Sequence, residues 1–212
     1  EGSVAKQILK QVRESDIDFI IIGTNGESGF QKFLLGSHTW EVIKKSGIPV
    51  FALPKDVLYT GVKNIVFATE YRDGELPGIK FLIQLAEQFN AELTILHITN
   101  YILSEELEKD VFENFKNELK NKAPYKKLNL RAVHSDDIIT GLNEFCSRTK
   151  ADWLVMSPGK SFFLEKIFNS AKSITKKMSI DSHIPLLMVP DFYYPEKINF
   201  FNDDSKTLKP KI

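Results

Sequence analysis

The sequence predicts an α/β protein built on an open, doubly wound parallel β-sheet with helices on both faces. Short apolar runs alternate along the chain with longer amphipathic segments of helical period. This alternation is typical of parallel sheets, because each connection between parallel strands crosses over the sheet through a helix. A strand–helix–strand pattern near the start of the chain returns near its end, which indicates two related units.

The first block, residues 1–55, is predicted to fold as helix–strand–helix–strand. Its helices carry apolar residues at helical spacing, and its strands are continuous apolar runs of the kind that is covered on both faces. Residues 56–61 form a predicted linker. The predicted elements of the block are the helices Ser3–Asp16 and Phe33–Ser46 and the strands Asp18–Gly23 and Ile48–Pro54.

The second unit, residues 62–190, is predicted to contain five strands and four helices in strict alternation. The strands are Asn64–Glu70, Ala91–Thr99, Leu128–His134, Asp152–Ser157 and Ile184–Pro190. The helices are Glu75–Asn90, Ser104–Ala123, Asp137–Lys150 and Glu165–Ile180. Residues 191–212 have no period and are expected to form a C-terminal extension.

An internal repeat relates the two units. Asp18–Gly23 matches Asp152–Ser157, and Ile48–Pro54 matches Ile184–Pro190 with its two prolines aligned. The first block therefore corresponds to the last half of a domain whose full version follows it.

Composition narrows the class of protein. The 212 residues contain 28 lysines and arginines and 28 aspartates and glutamates, so the formal net charge is zero. This balance argues against a protein that binds nucleic acid through a general excess of positive charge. No apolar run approaches the length of a membrane span, and the single Cys146 excludes an internal disulfide framework. We expect a cytoplasmic protein, since one thiol fits a reducing compartment.

Three glycines and a serine mark the strongest candidate site. Gly23, Gly26, Gly36 and Ser37 follow or flank the loop between the first predicted strand and the next helix. Glycines let the backbone approach a ligand without interference from a Cβ atom, and free amides at a helix start can bind phosphate oxygens. The alternative is that the glycines only form turns and that Ser37 only caps a helix.

The spacing G-x2-G-x9-G-[ST], together with the segment Leu34–Val50, resembles the nucleotide motif and closing helix of the universal stress protein family. The resemblance implies a tandem protein of two such domains, the first of them truncated. It also implies a five-stranded parallel sheet of order 3-2-1-4-5 in a complete domain. Domains of this family pair through their last strands, which implies a homo-oligomer or an intrachain pseudo-dimer.

The same resemblance implies ATP as the ligand, with or without Mg²⁺. The residues that would line its ribose and phosphates are Ile22, Gly23, Asn25, Gly26, Gly36, Ser37, His38 and Thr39. The first block lacks the two strands that hold adenosine in the family, so another copy or another segment would have to supply them. A weaker second site would use Thr69, Glu70, Gly159 and Ser170, but Ser157 and Asn169 replace two motif glycines there.

Other patterns give no catalytic or metal-binding residues. Gly159–Ser161 is not a P-loop, because Leu154 stands where that motif needs glycine. The four histidines lack the spacing of zinc ligands, and Ser135–Asp137 is expected to cap a helix. We therefore expect a nucleotide-binding regulatory module of the stress response that is not an enzyme. The alternative is a nucleotide-free interaction scaffold of the same fold.

Overall fold

The computed structural model describes residues 3–23, 37–54, 57–72, 74–99, 105–158 and 184–193. Helices and strands alternate along these residues, as the sequence predicts. The helices are α1 (Val4–Glu14), α2 (Ser37–Lys45), α3 (Glu75–Phe89), α4 (Glu105–Lys122) and α5 (Ile138–Thr149). The strands are β1 (Ile20–Gly23), β2 (Val50–Leu53), β3 (Asn64–Ala68), β4 (Glu92–Thr99), β5 (Leu128–His134), β6 (Trp153–Met156) and β7 (Leu186–Met188). The predicted helix Glu165–Ile180 and residues 194–212 lie outside the described residues.

All seven strands join in one sheet of order β1-β2-β7-β6-β3-β4-β5. Within the second unit, the order β5-β4-β3-β6-β7 is the 3-2-1-4-5 arrangement that the family resemblance implies, and its strands are parallel. The prediction of a five-stranded, wholly parallel sheet needs one correction. The two strands of the first block extend the sheet to seven, and the contact between the blocks is antiparallel.

The two blocks meet where β2 pairs with β7. Val50 lies opposite Met188, and Ala52 lies opposite Leu186, with all four side chains buried. A parallel domain of this order leaves one edge of its last strand free, and here each block covers the free edge of the other. The contact is within one chain, and association between separate chains stays a prediction.

Helices cover the sheet on both faces. One buried cluster gathers α3, α4 and the sheet residues that face them, including Leu187. The opposite cluster joins residues of both blocks, with Ile20 and Ala52 beside Met156. Since buried apolar area is the main favourable term in folding, this shared core stabilises the two blocks together.

Local signals in the sequence explain where elements begin. Asp137 precedes α5, and its Oδ1 accepts a hydrogen bond from Thr140 N at 2.8 Å, which confirms the predicted cap. Asp152 Oδ2 accepts from Lys63 N at 2.7 Å and from Asn64 N at 2.8 Å, and so holds the start of β3 beside β6.

No helix among the described residues is long and apolar enough to cross a membrane.

Candidate functional site

The described part of the glycine motif lies at the end of β1 and the start of α2. Ile22 and Gly23 are the last residues of β1, and a Cβ atom added at Gly23 would meet no described atom within 4 Å. Ser37 is the first residue of α2, His38 is exposed, and Thr39 is buried. Asn25, Gly26 and Gly36 lie outside the described residues.

Strand topology brings the first and last residues of this motif to the same end of the sheet, where β1 finishes. β1 and β2 are parallel neighbours, so α2 must run back across the sheet between them. The first turn of α2 therefore lies near the carboxyl end of β1, with its free backbone amides toward that end. Open α/β sheets bind ligands at the carboxyl ends of their strands, and the positive end of a helix dipole attracts negatively charged groups.

The corresponding crevice of the second unit lies where the strand order reverses, between β3 and β6. Glu75, the first residue of α3, is only 1% exposed and lies beneath the loop that follows β3. Its carboxylate accepts hydrogen bonds from Thr69 Oγ1 at 2.6 Å and from the backbone amides of Glu70 and Arg72, each at 3.3 Å. Residues 69–72 are thus folded around one buried acid.

Arg72 fills the mouth of this second crevice. Its guanidinium lies 3.2 Å from Glu75 Oε1 and 3.4 Å from Glu70 Oε2, and it also pairs with Asp191 beyond β7. The nitrogen that faces Glu75, Nη2, also lies 3.5 Å from the carbonyl oxygen of Ser157, directly after β6. Thr69 and Glu70, the weaker predicted site residues, are therefore engaged by protein groups. Gly159 and Ser170 lie outside the described residues.

Tyr71 closes the side of the same loop. Its backbone is left-handed, with φ of 57°, and its ring stacks on His97 with the centroids 4.3 Å apart. His97 Nδ1 in turn lies 2.9 Å from the carbonyl oxygen of Thr69. Burial raises the pKa of the Tyr71 phenol, and the charge of Glu108 acts in the same direction. The tyrosine is therefore a neutral packing residue at physiological pH.

Burial and neighbouring polar groups have opposing effects on the pKa of the buried Glu75. Burial raises the pKa of Glu75 above its ordinary value, while the Thr69 hydroxyl and the Arg72 guanidinium act to lower the pKa. Desolvation is the largest of these effects. Among the described residues, no group of three or more histidines, cysteines and acids is placed to hold a metal ion.

A model of the universal stress protein family matches residues 1–54, which contain β1, the glycine motif, α2 and β2. This part of the chain is similar in sequence to the universal stress protein family. Two universal stress proteins of Methanocaldococcus jannaschii are 36% and 37% identical to this chain over 55 and 54 residues. Each match covers 26% of this chain and about a third of the relative, at 32% and 33% of its length.

The likeness in fold extends beyond the residues that match in sequence. A crystal structure of a universal stress protein from Archaeoglobus fulgidus superposes with a TM-score of 0.60 at 16% identity. The superposition covers 88% of this chain and 65% of that one. The likeness shows that the second unit shares the architecture as well, although its sequence has diverged.

Sequence reasoning missed the residues that fill the second crevice. Arg72, Tyr71 and Asp191 were not among the predicted site residues, yet they converge on the loop after β3. The available signal was an arginine flanked by acids in the segment Thr69–Glu75, at the exit of the first strand of the unit. Asp191, at the exit of the last strand, completes the set.

Proposed function

We propose that this chain is a regulatory module that binds ATP at the first block and holds no nucleotide in the second unit. The single observation that carries the proposal is the position of the glycine motif. An added Cβ atom at Gly23, the last residue of β1, would meet no described atom within 4 Å, and Ser37, the last residue of the motif, lies in the first described turn of α2. Both ends thus lie at the ligand-binding edge of two parallel strands.

Backbone amides suit a triphosphate even in a chain without net charge. The first amides of α2 have no partner within the helix, and the helix dipole adds positive potential at the same place. Ligand phosphates would bind there, and the conformation that binding favours would be the regulatory signal. The proposed regulation requires ligand binding only and involves no catalytic step.

The second unit supports the assignment of binding to the first block alone. Arg72 occupies the crevice between β3 and β6 and forms ion pairs there with Glu70 and Asp191. A nucleotide in the family's manner would have to displace these ion pairs and uncover the buried Glu75. Such a displacement leaves a charge without its partner, which is costly in a protein interior.

Isothermal titration calorimetry with ATP and AMP, each with Mg²⁺ and with EDTA, tests the proposal. We expect saturable heat at one nucleotide per chain for the unaltered protein and its loss in Gly36→Trp, which places a large side chain in the motif. Gly47→Trp is the matched control, because Gly47 follows α2 and has open space around it. Silence at millimolar ATP, or equal binding in Gly36→Trp, would contradict the proposal.

A second candidate function is a nucleotide-free interaction scaffold. It is favoured by the filled second crevice and by β1, which pairs only with β2 among the described strands. In the family, the strands that hold adenosine lie next to the strand that corresponds to β1, on the side away from β2. The scaffold predicts no heat with any nucleotide, and the same titration therefore separates the two candidates.

A further inference from the structure

A groove of about 1100 Å³ runs between α4 and the edge strand β5. Phe112 and Leu119 of α4 and Ala123, directly after it, form one wall, and Leu128 and Leu130 of β5 contribute to the other. Leu119 and Ala123 are buried, so the floor of the groove is part of the core between helix and sheet. The groove lies on a different part of the molecule from the glycine motif.

The open edge of β5 forms the long side of this groove. Among the described strands, β5 pairs only with β4, along all seven of its residues. Successive side chains of a strand point to opposite faces, yet the consecutive residues 124–131 all line the groove. The groove therefore follows the strand edge itself, where backbone amide and carbonyl groups are available for pairing.

Positive charge is concentrated on both walls. Lys116 and Lys120 come from α4, and Lys126, Lys127 and Arg131 come from the segment that leads into and forms β5, while Glu87 is the acidic residue of the lining. The whole chain carries no net charge, so this excess is local. Lys120, Lys126 and Arg131 form no ion pair with any residue that the structure describes.

Lysines at a strand edge often serve only to prevent aggregation. That role requires cations on the strand or its ends, and it does not explain Lys116 and Lys120, which lie across the groove on the facing helix. A groove that has cations on both sides, and on one side a strand edge that pairs with no other described strand, is suited to an extended, negatively charged chain.

We propose that this groove binds an extended acidic segment of a partner protein, which adds to the sheet as a further strand along β5. Backbone hydrogen bonds to the free edge would give affinity, and acidic side chains beside Lys120, Lys126 and Arg131 would give selectivity. A second copy of this chain is a poor occupant, because two copies would bring the same cations together at β5.

The chain's own residues 194–212 are also a poor occupant, since they are not acidic. They contain Glu196, Asp203 and Asp204 together with Lys197, Lys206, Lys209 and Lys211. The partner is therefore identified by its chemistry, as a segment rich in aspartate or glutamate that adopts β-structure on binding.

The test uses the full chain and a fluorescein-labelled peptide of about ten residues with alternating glutamate and threonine. We expect saturable binding by fluorescence anisotropy and shifts of the Leu128–His134 amide resonances in NMR spectra. A peptide with lysine in place of glutamate should not bind. The acidic peptide with every backbone amide methylated should not bind either, because it keeps the charge and loses the donors of a strand.

Charge-reversal variants complete the test. Lys120→Glu combined with Lys126→Glu should weaken binding by about fivefold or more, as expected for two lost ion-pair contacts. Lys109→Glu is the matched control, being an exposed lysine of α4 that does not line the groove. If the double variant does not fold, the methylated peptide and the resonance shifts still show whether the acidic peptide binds along β5.

Three results would overturn the proposal. The first is equal binding of the methylated peptide, which would indicate a loose anion site. The second is resonance shifts confined to residues away from β5. The third is tighter binding of a single-stranded oligonucleotide of the same charge than of the acidic peptide.

Discussion

Arg72 and Asp191 form an ion pair that joins the loop after β3 to the residues after β7. The two strands are not neighbours, because β6 lies between them. The guanidinium therefore spans the end of β6, where it lies 3.5 Å from the carbonyl oxygen of Ser157. One side chain thus ties together three strand ends at the point where the strand order of the second unit reverses.

Replacement of Arg72 by methionine should destabilise the protein by about 3 kcal/mol, since it leaves the buried Glu75 without its cationic partner. The free energy of unfolding from urea denaturation measures the change. Lys116→Met is the matched control, because Lys116 and Glu113 form an exposed pair that is worth less than about 1 kcal/mol. Equal losses in the two variants would show that the Arg72 ion pairs do not stabilise the loop.

The pH dependence of stability should report the buried Glu75. Burial raises its pKa in the folded state, so the folded protein holds this proton to a higher pH than the unfolded chain does. Its contribution to the free energy of unfolding should therefore fall as pH rises from the ordinary value of 4.5 to the higher folded pKa. Below 4.5 the contribution should be at its full value.

Glu75→Gln provides the reference for this pH series, because glutamine keeps the shape of the acid and does not titrate. The unfolding free energy of the unaltered protein minus that of Glu75→Gln should decrease with rising pH. The same subtraction for Glu113→Gln, in an exposed pair, should stay nearly flat. A difference that instead increases with pH would mean that Arg72 lowers the pKa of Glu75 by more than burial raises it.

Gly141→Ala should destabilise the protein by about 1–3 kcal/mol, even though alanine favours a helix more than glycine does. A Cβ atom at this position in α5 would lie 2.7 Å from Ser135 Cβ and 3.1 Å from Ile98 Cγ2. Gly47→Ala has no described atom within 4 Å of the added carbon and should be close to neutral. Chemical denaturation of both variants, and of Gly141→Ala combined with Ser135→Gly as a rescue, checks the steric explanation.

The shared core predicts that both blocks unfold together in one transition. Phe51 of β2 packs against Phe19, with ring centroids 6.1 Å apart, and against Trp153 of β6, with centroids 5.0 Å apart. Phe51→Ala should therefore lower the unfolding free energy by about 3 kcal/mol while unfolding stays cooperative. Tyr59→Ala, at a side chain 75% exposed, should change it by less than about 0.5 kcal/mol. Separate transitions in the unaltered protein, followed by circular dichroism and tryptophan fluorescence, would contradict the prediction.

Elements with a strong local period could be predicted from the sequence. The strand Leu128–His134 has the predicted bounds, and α3 differs from the prediction by one residue at its end. The repeated aspartate could be seen in the sequence, but its role could not, since Asp152 binds backbone amides of Lys63 and Asn64, 89 and 88 positions away. Asp18 occupies the matching position before β1.

Features that depend on distant parts of the chain could not be predicted. Leu107 of α4 is 55% exposed and Val111 is 42% exposed, although both have the apolar spacing of Phe115 and Leu119, which are in the buried cluster. The Arg72–Asp191 pair joins residues that are 119 positions apart, and no local pattern links them. For the candidate site, the strand–helix pattern predicts Gly23 at the end of a strand and Ser37 within the following helix, which agrees with β1 and α2, while Asn25, Gly26 and Gly36 lie outside the described residues.

The antiparallel contact between β2 and β7 also decides where the two crevices open. Because β1 and β2 run opposite to β3, β6 and β7, the carboxyl end of β1 and the Arg72 cluster lie on opposite rims of the sheet. A molecule bound at the carboxyl end of β1 would not touch the Arg72 cluster. A conformational signal between the two sites would therefore have to pass along the paired strands β2 and β7. Two partners could then occupy the protein at once, one at each rim, without competing for space.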